Sequence, residues 1–152
     1  MTMSIILKKI FLVCIIVLAL LWVGCLQKTP QIHYVLPNGF CGAFIIYTER
    51  PNGMRMEASG ARYTYVIPET GVLELQGKGP FYGWHTTSAS FEDGTVIPAG
   101  TEKLPEDVVA FWGGGSQSGG MLYDFVGTKA EFRVFKKETA TAEVKPGGCK
   151  KQ

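Results

Sequence analysis

The chain has 152 residues, which suits one compact domain with short extensions. It carries 15 basic and 13 acidic residues, and this near balance gives no electrostatic argument for a nucleic-acid partner. Hydrophobic residues make up 46% of the chain, and a dense apolar run near the N-terminus accounts for much of this excess.

That apolar run occupies residues 10–22 and reads IFLVCIIVLALLW. Lys8 and Lys9 come just before it, and no acidic residue precedes them. A basic segment followed by ~7–15 apolar residues is typical of a secretory signal. Extended to Leu26, the run reaches about 17 residues, the shortest length that spans a bilayer, so an uncleaved anchor helix is the alternative. Both interpretations place the rest of the chain on the extracytoplasmic side.

The apolar run ends in the sequence WVGC at residues 22–25. Small residues before a cysteine at this point resemble the bacterial lipobox, in which the cysteine is lipidated and the signal is cut just before it. Trp22 departs from that pattern, where Leu is usual. We therefore predict that residues 1–24 are a lipoprotein signal peptide or an uncleaved membrane anchor, with Cys25 as the lipidation site. Residues 25–31 would form a short tether.

The four cysteines divide by position. Cys14 lies in the apolar run and Cys25 is the proposed lipidation site. Cys41 and Cys149 either remain free thiols or form a disulfide in an oxidising compartment. Such a bond would close a long loop and stabilise the fold by ~4–5 kcal/mol. No Cys-x-x-Cys pair and no histidine cluster indicates a metal, so we expect neither a metal site nor a cofactor.

Residues 32–138 read as a single β-rich domain. Alternating or β-branched segments recur there, separated by turns rich in Gly, Pro and Asn, and this pattern predicts a mainly β, β-sandwich-like domain. The predicted strands are residues 32–36, 42–48, 62–67, 72–76, 81–91, 107–112 and 121–126.

The end of the domain is predicted to hold one short helix. Thr128 and Glu131 have the spacing of a capping box, and Phe132 and Phe135 lie on one face of the helix that it would begin. Residues 113–120 are rich in glycine but lack the Gly-Lys-Ser/Thr of a phosphate-binding loop, which favours a flexible connection. Residues 139–152 read as a disordered tail.

Three neighbouring residues, Tyr82, Trp84 and His85, form a speculative binding face. Aromatic rings on a sheet can bind sugars or peptides, although core packing is the commoner role. His85 is followed by Ser88 and Ser90, but alternate residues of one strand lie ~7 Å apart, too far for a direct serine–histidine pair. We therefore assign no catalytic residue.

Three segments resemble an uncharacterised family of exported bacterial β-domains. They are residues 34–42 (YVLPNGFCG), residues 65–73 (YVIPETGVL) and residues 123–131 (YDFVGTKAE). The resemblance spans about residues 32–136 and implies a β fold and export. It carries over no catalytic residue, because the family has no known function.

These observations favour a membrane-anchored lipoprotein of the cell envelope whose β-domain is a non-enzymatic binding or structural module. Its partner would be a protein or a glycan. The chain would be attached to the membrane through the lipid or the anchor helix. The alternative is a small extracytoplasmic hydrolase or inhibitor that uses the face around Tyr82, Trp84 and His85.

Overall fold

The computed structural model describes residues 28–117 and 119–149. Ten β-strands, one α-helix and a 3-10 helix form its regular structure, which confirms the prediction of a mainly β domain with one helix. The 3-10 helix spans Gly79–Tyr82, and the helix α1 spans Lys129–Thr139. The strands are β1 (Gln31–Leu36), β2 (Gly42–Tyr47), β3 (Ala58–Ser59), β4 (Arg62–Val66), β5 (Val72–Glu74), β6 (Thr86–Phe91), β7 (Val96–Ile97), β8 (Ala110–Gln117), β9 (Met121–Gly127) and β10 (Gly147–Gly148). The predicted signal or anchor helix and Cys25 lie outside the described residues.

Five strands form the first sheet, in the spatial order β3-β4-β1-β6-β7. Its central strand, β1, runs parallel to both of its neighbours, β4 and β6. Gln31 pairs with Arg62 on one side and with Thr86 on the other, so these three strands begin at the same end of the sheet.

The second sheet is built around β2, in the order β10-β2-β9-β8. β9 pairs with the full length of β2 in antiparallel register. The opposite edge of β2 is shared by two short strands: β10 lies beside Gly42 and Ala43, and β5 lies beside residues 45–47. Two segments that are distant in the sequence therefore close one edge together.

The two sheets face each other across an aromatic core. Tyr34 of β1 and Phe44 of β2 pack edge to face, with ring centroids 5.0 Å apart. Burial of a large apolar side chain stabilises a fold by about 1.5–3 kcal/mol, so these side chains hold the sheets together. The buried core residues are Ile32, Tyr34, Leu36, Phe44, Ile46, Tyr65, Ile67, Leu73, Leu75, Ala89, Ile97, Phe111 and Val126.

Helix α1 covers the outer face of the second sheet. Phe132 stacks on Trp112 and Phe135 stacks on Phe125, each with ring centroids 4.8 Å apart. The indole N–H of Trp112 donates to the carbonyl of Gly127 at 2.9 Å, which satisfies the one polar atom of this buried side chain. The apolar face that the sequence predicted for the helix is thus the face that contacts the sheet.

The chain after α1 returns to the second sheet. Val144 is buried on its outer face, and β10 pairs with the start of β2. Cys149 is bonded to Cys41, with the two Cα atoms 5.5 Å apart. The sequence predicted a disordered tail from residue 139, but the described part of this segment is ordered by these contacts.

Two further predictions differ from the structure. The strand predicted over residues 81–91 begins only at Thr86, because Pro80 lacks an N–H for a sheet ladder and the chain before Gly83 forms the 3-10 helix. The glycine-rich residues 113–120 were predicted to be a loop, yet β8 continues through them to Gln117. A β-bulge between Trp112 and Gly115 marks the place where the regular pairing is interrupted.

Candidate functional site

A cavity of about 830 Å³ lies between α1 and the returning segment, residues 142–148. Small-molecule sites commonly have volumes of about 300–1,000 Å³. Its lining is largely apolar, with polar groups mostly on the helix and on the returning segment. The lining residues are Phe125, Ala130, Glu131, Val134, Phe135, Glu138, Thr139, Ala142, Glu143, Val144, Lys145, Pro146, Gly147 and Gly148.

The cavity exists because the chain leaves α1 and then docks at a separate place. Thr139 ends the helix, and its hydroxyl donates to the carbonyl of Phe135 at 3.0 Å. Farther along, burial of Val144 and pairing of β10 hold the returning segment on the sheet. The segment is therefore fixed at both ends, and the space between it and the helix is not filled by side chains.

Carboxylates outnumber cations around this cavity. Glu131, Glu138 and Glu143 line it, and Lys145 is the one basic residue among the described lining residues. The Oε2 atom of Glu131 is fixed in place, because it accepts both the N–H and the hydroxyl of Thr128 at 2.8 Å. The cavity thus combines an apolar lining with a net negative rim.

The disulfide lies beside this cavity. Among the described residues, Cys41, Glu131 and Cys149 bring their potential ligand atoms within 4.8 Å of one another. The two sulfur atoms are bonded to each other, so in this state neither supplies a thiolate to a metal ion.

The predicted face is not part of a strand, because Tyr82 ends the 3-10 helix and Trp84 and His85 lie in the loop between that helix and β6. Trp84 is 94% exposed and Tyr82 is 57% exposed, so neither ring is a core residue. The hydroxyl of Tyr82 hydrogen-bonds to the hydroxyl of Thr48 at 3.1 Å. His85 donates from Nδ1 to the carbonyl of Gly83 at 2.8 Å, which leaves its Nε2 as an acceptor when the ring is neutral.

The two serines near His85 in the sequence instead contact another histidine, His33 of β1. Its Nδ1 lies 2.9 Å from the Ser88 hydroxyl, and its Nε2 lies 3.1 Å from the Ser90 hydroxyl. Burial, and secondarily the charge of Arg62, lower the pKa of His33. The parallel register of β1 and β6 creates this group. The alternation of Ser88 and Ser90 was its sequence signal, but only the pairing of the strands identifies His33 as the partner.

A second polar group, also missed from the sequence, surrounds Asp124 of β9. One carboxylate oxygen accepts the backbone N–H of Gly114 at 2.9 Å, and the Tyr34 hydroxyl is a further hydrogen-bonding neighbour. Burial raises the pKa of Asp124 to about 6, although these hydrogen bonds and the charge of His85 oppose the rise. The nearby Tyr65 hydroxyl is buried without a partner among the described residues. Burial also raises the pKa of Tyr65 to about 12.

No helix in the described part of the chain has the length and the apolarity needed to cross a bilayer. Comparison with known protein families finds none that matches this sequence. A search of curated proteins also finds no match. Among solved structures, the chain is similar to the crystal structure of a "Putative Lipoprotein from Bacillus anthracis", with 12% identity over 66% of this chain and 71% of that chain. The TM-score is 0.42, so this likeness carries no argument about function.

Proposed function

We propose that this protein is a membrane-tethered lipoprotein of the cell envelope whose β-domain is a non-enzymatic binding module. The observation that carries the binding role is the cavity between α1 and residues 142–148, whose volume of about 830 Å³ suits a small ligand. Its lining favours an apolar ligand, and its excess of carboxylates favours a ligand with a positively charged group.

Filling the cavity tests this assignment. Ala142 is exposed and lines the cavity, so Ala142→Trp is expected to occupy the ligand volume without disturbing the core. Ala140 is also exposed and is not among the residues that line the cavity, which makes Ala140→Trp the matched control. The probes are phenylbutylamine and phenylbutyrate, which share an apolar body and differ in charge.

The full chain in lipid nanodiscs is heated with each probe, because a ligand that binds only the folded state raises the unfolding midpoint. We expect phenylbutylamine to raise the midpoint more than phenylbutyrate. We also expect Ala142→Trp to weaken its binding at least about tenfold, which corresponds to about 1.4 kcal/mol. Equal responses from both tryptophan variants would refute the cavity as the site.

The membrane tether is tested separately on Cys25. Mass spectrometry of the membrane-bound protein should find a chain that begins at a lipid-modified Cys25. Cys25→Ser should then retain its signal peptide. A native chain that keeps Met1 would instead be held by an uncleaved helix.

A hydrolytic role has one observation in its favour, the distance of 2.9 Å between His33 and the Ser88 hydroxyl. Such a distance allows a histidine to activate a serine, but activation also needs a group that orients the histidine. A fluorophosphonate probe that labels active serines distinguishes the two functions. A binding module stays unlabelled, whereas labelling that Ser88→Ala abolishes would favour the hydrolase. Full biological activity of a His85→Ala variant would argue against catalysis at the loop that carries His85.

A further inference from the structure

The loop that carries Trp84 lies at the end of the domain where the chain arrives from the N-terminal segment. The carbonyl of Pro30, just before β1, accepts the N–H of Thr86 at 3.0 Å. Thr86 begins β6, and the loop residues 83–85 come immediately before it. The point where the chain enters the domain and the exposed tryptophan are therefore neighbours.

The parallel pairing of the first sheet makes this a common end for several segments. Because β4 and β6 both run parallel to β1, Arg62 and Thr86 lie beside Gln31. Lys28 and Arg62 are both exposed at this end. The end thus presents an aromatic loop together with two cationic side chains.

The segment around Trp84, residues 81–85, is attached to the domain by packing and hydrogen bonds. Phe81 stacks on Tyr65 of the core with ring centroids 5.5 Å apart. Next to it, the hydroxyl of Tyr82 is hydrogen-bonded to the hydroxyl of Thr48. His85 hydrogen-bonds back to Gly83. The residues around Trp84 are thus held to the domain, whereas its own indole is 94% exposed and is left uncovered by the domain.

We propose that Trp84, together with Tyr82, inserts into the interfacial region of the membrane that anchors the chain. This inference rests on the proposed membrane tether. The segment from Cys25 to Gln31 has seven residues. It can span at most ~25 Å, at up to ~3.6 Å per residue, so this end of the domain stays close to the lipid. Tryptophan and tyrosine are enriched at membrane interfaces, where one part of the ring system is apolar and another is hydrogen-bonded.

The charge at this end agrees with a lipid surface. Lys28 and Arg62 are exposed on the side that would face the headgroups, where anionic lipid attracts basic residues. Insertion of the loop would fix the orientation of the domain, with the strands β1, β4 and β6 running away from the membrane. A single tether without this second contact would leave the domain free to rotate.

Quenching of tryptophan emission by brominated lipids tests the contact. The full chain contains Trp22, Trp84 and Trp112, so Trp22→Phe removes the residue of the N-terminal apolar run. Trp112 is buried and supplies an internal reference. In vesicles that contain brominated lipid, we expect strong quenching of the Trp22→Phe protein and loss of most of that quenching in the double variant Trp22→Phe/Trp84→Phe.

The outcomes separate this inference from the proposed tether. If the protein floats with the vesicles but Trp84 is unquenched by lipid and remains accessible to iodide, the loop faces solvent and the inference is overturned, whereas the tether stands. If the protein does not float with the vesicles, the tether fails and the inference fails with it.

Discussion

Asp124 is a carboxylate on the inner face of the second sheet. It belongs to β9 and lies directly across from Phe44 of β2, whose ring is in the core between the sheets. Burial disfavours its charged form, whereas the N–H of Gly114 stabilises that form. Because burial is the larger effect, the pKa of this carboxyl is raised to about 6.

This shift predicts that stability falls as the solution becomes less acidic. The pKa is about 6 in the folded chain and 3.8 in the reference state, so between these values the folded chain binds the proton more strongly. The contribution is fully present below about pH 4 and is lost as the pH rises through about 6. The difference in pKa corresponds to about 3 kcal/mol.

The comparison for this prediction is Asp124→Asn, which cannot titrate. Urea unfolding at a series of pH values should give a decline in the free energy of unfolding for the native protein, relative to the variant. A constant difference between the two proteins from pH 4 to 7 would contradict the assigned pKa.

Glycine gives strand β8 its close approach to β9. A Cβ atom on Gly114 would collide with the backbone carbonyl of Tyr123, whereas a Cβ atom on Gly113 would meet no heavy atom within 4 Å. The absence of a side chain thus lets the bulge bring the N–H of Gly114 to Asp124. The glycines here serve packing and hydrogen bonding, and not only flexibility.

Gly114→Ala should therefore destabilise the domain by about 2 kcal/mol or more, because the strands must separate to admit the methyl group. Gly113→Ala is the matched control and should change stability by less than about 0.5 kcal/mol. Thermal unfolding of the two variants checks this difference. Similar midpoints for both would mean that β8 is not pressed against β9 at this bulge.

The start of α1 carries both hydrogen bonds of a capping box. Glu131 donates its N–H to the Thr128 hydroxyl at 3.3 Å, and its carboxylate accepts the N–H of Thr128. Thr128→Ala should cost about 1 kcal/mol of stability. The control is Thr141→Ala, which lies beyond the other end of the helix and removes only an exposed hydrogen bond to the carbonyl of Glu138. Chemical denaturation should show a smaller loss of stability for this variant than for Thr128→Ala.

Local features of the fold could be predicted from the sequence, whereas the pairing of the strands could not. The capping box and the apolar spacing of Phe132 and Phe135 predicted α1 because both depend on neighbours within one turn. The parallel position of β1 between β4 and β6 could not be predicted, because alternation of apolar residues has no direction. For the same reason the contacts of His33 with Ser88 and of Asp124 with Gly114 were missed, since each joins residues that meet only after the sheets form.

The last described residues connect the end of the domain to its beginning. The bond between Cys41 and Cys149 joins positions 108 residues apart, next to the pairing of β10 with β2. Val144 adds an apolar contact on the outer face of the second sheet. These contacts also fix the side of the cavity that faces α1.

Loss of this bond should lower the stability of the domain by about 4–5 kcal/mol in the chain-entropy model, because the loop that it closes is long. The variant in which both Cys41 and Cys149 are serine should unfold at a lower temperature than the native protein and should not respond to a reducing agent. Free-thiol counting on the native domain before and after reduction gives the independent check. An unfolding midpoint that reduction leaves unchanged would contradict the expected stabilisation.

One edge of β2 is completed only when β10, which is synthesised much later, pairs with it. Gly42 and Ala43 are synthesised about a hundred residues before the glycines of β10 that pair with them. Until β10 arrives, the start of β2 presents unpaired backbone groups, which are a template for a strand from another chain. The start of β2 therefore stays open to such pairing until β10 has been synthesised, and the arrival of β10 removes that exposure.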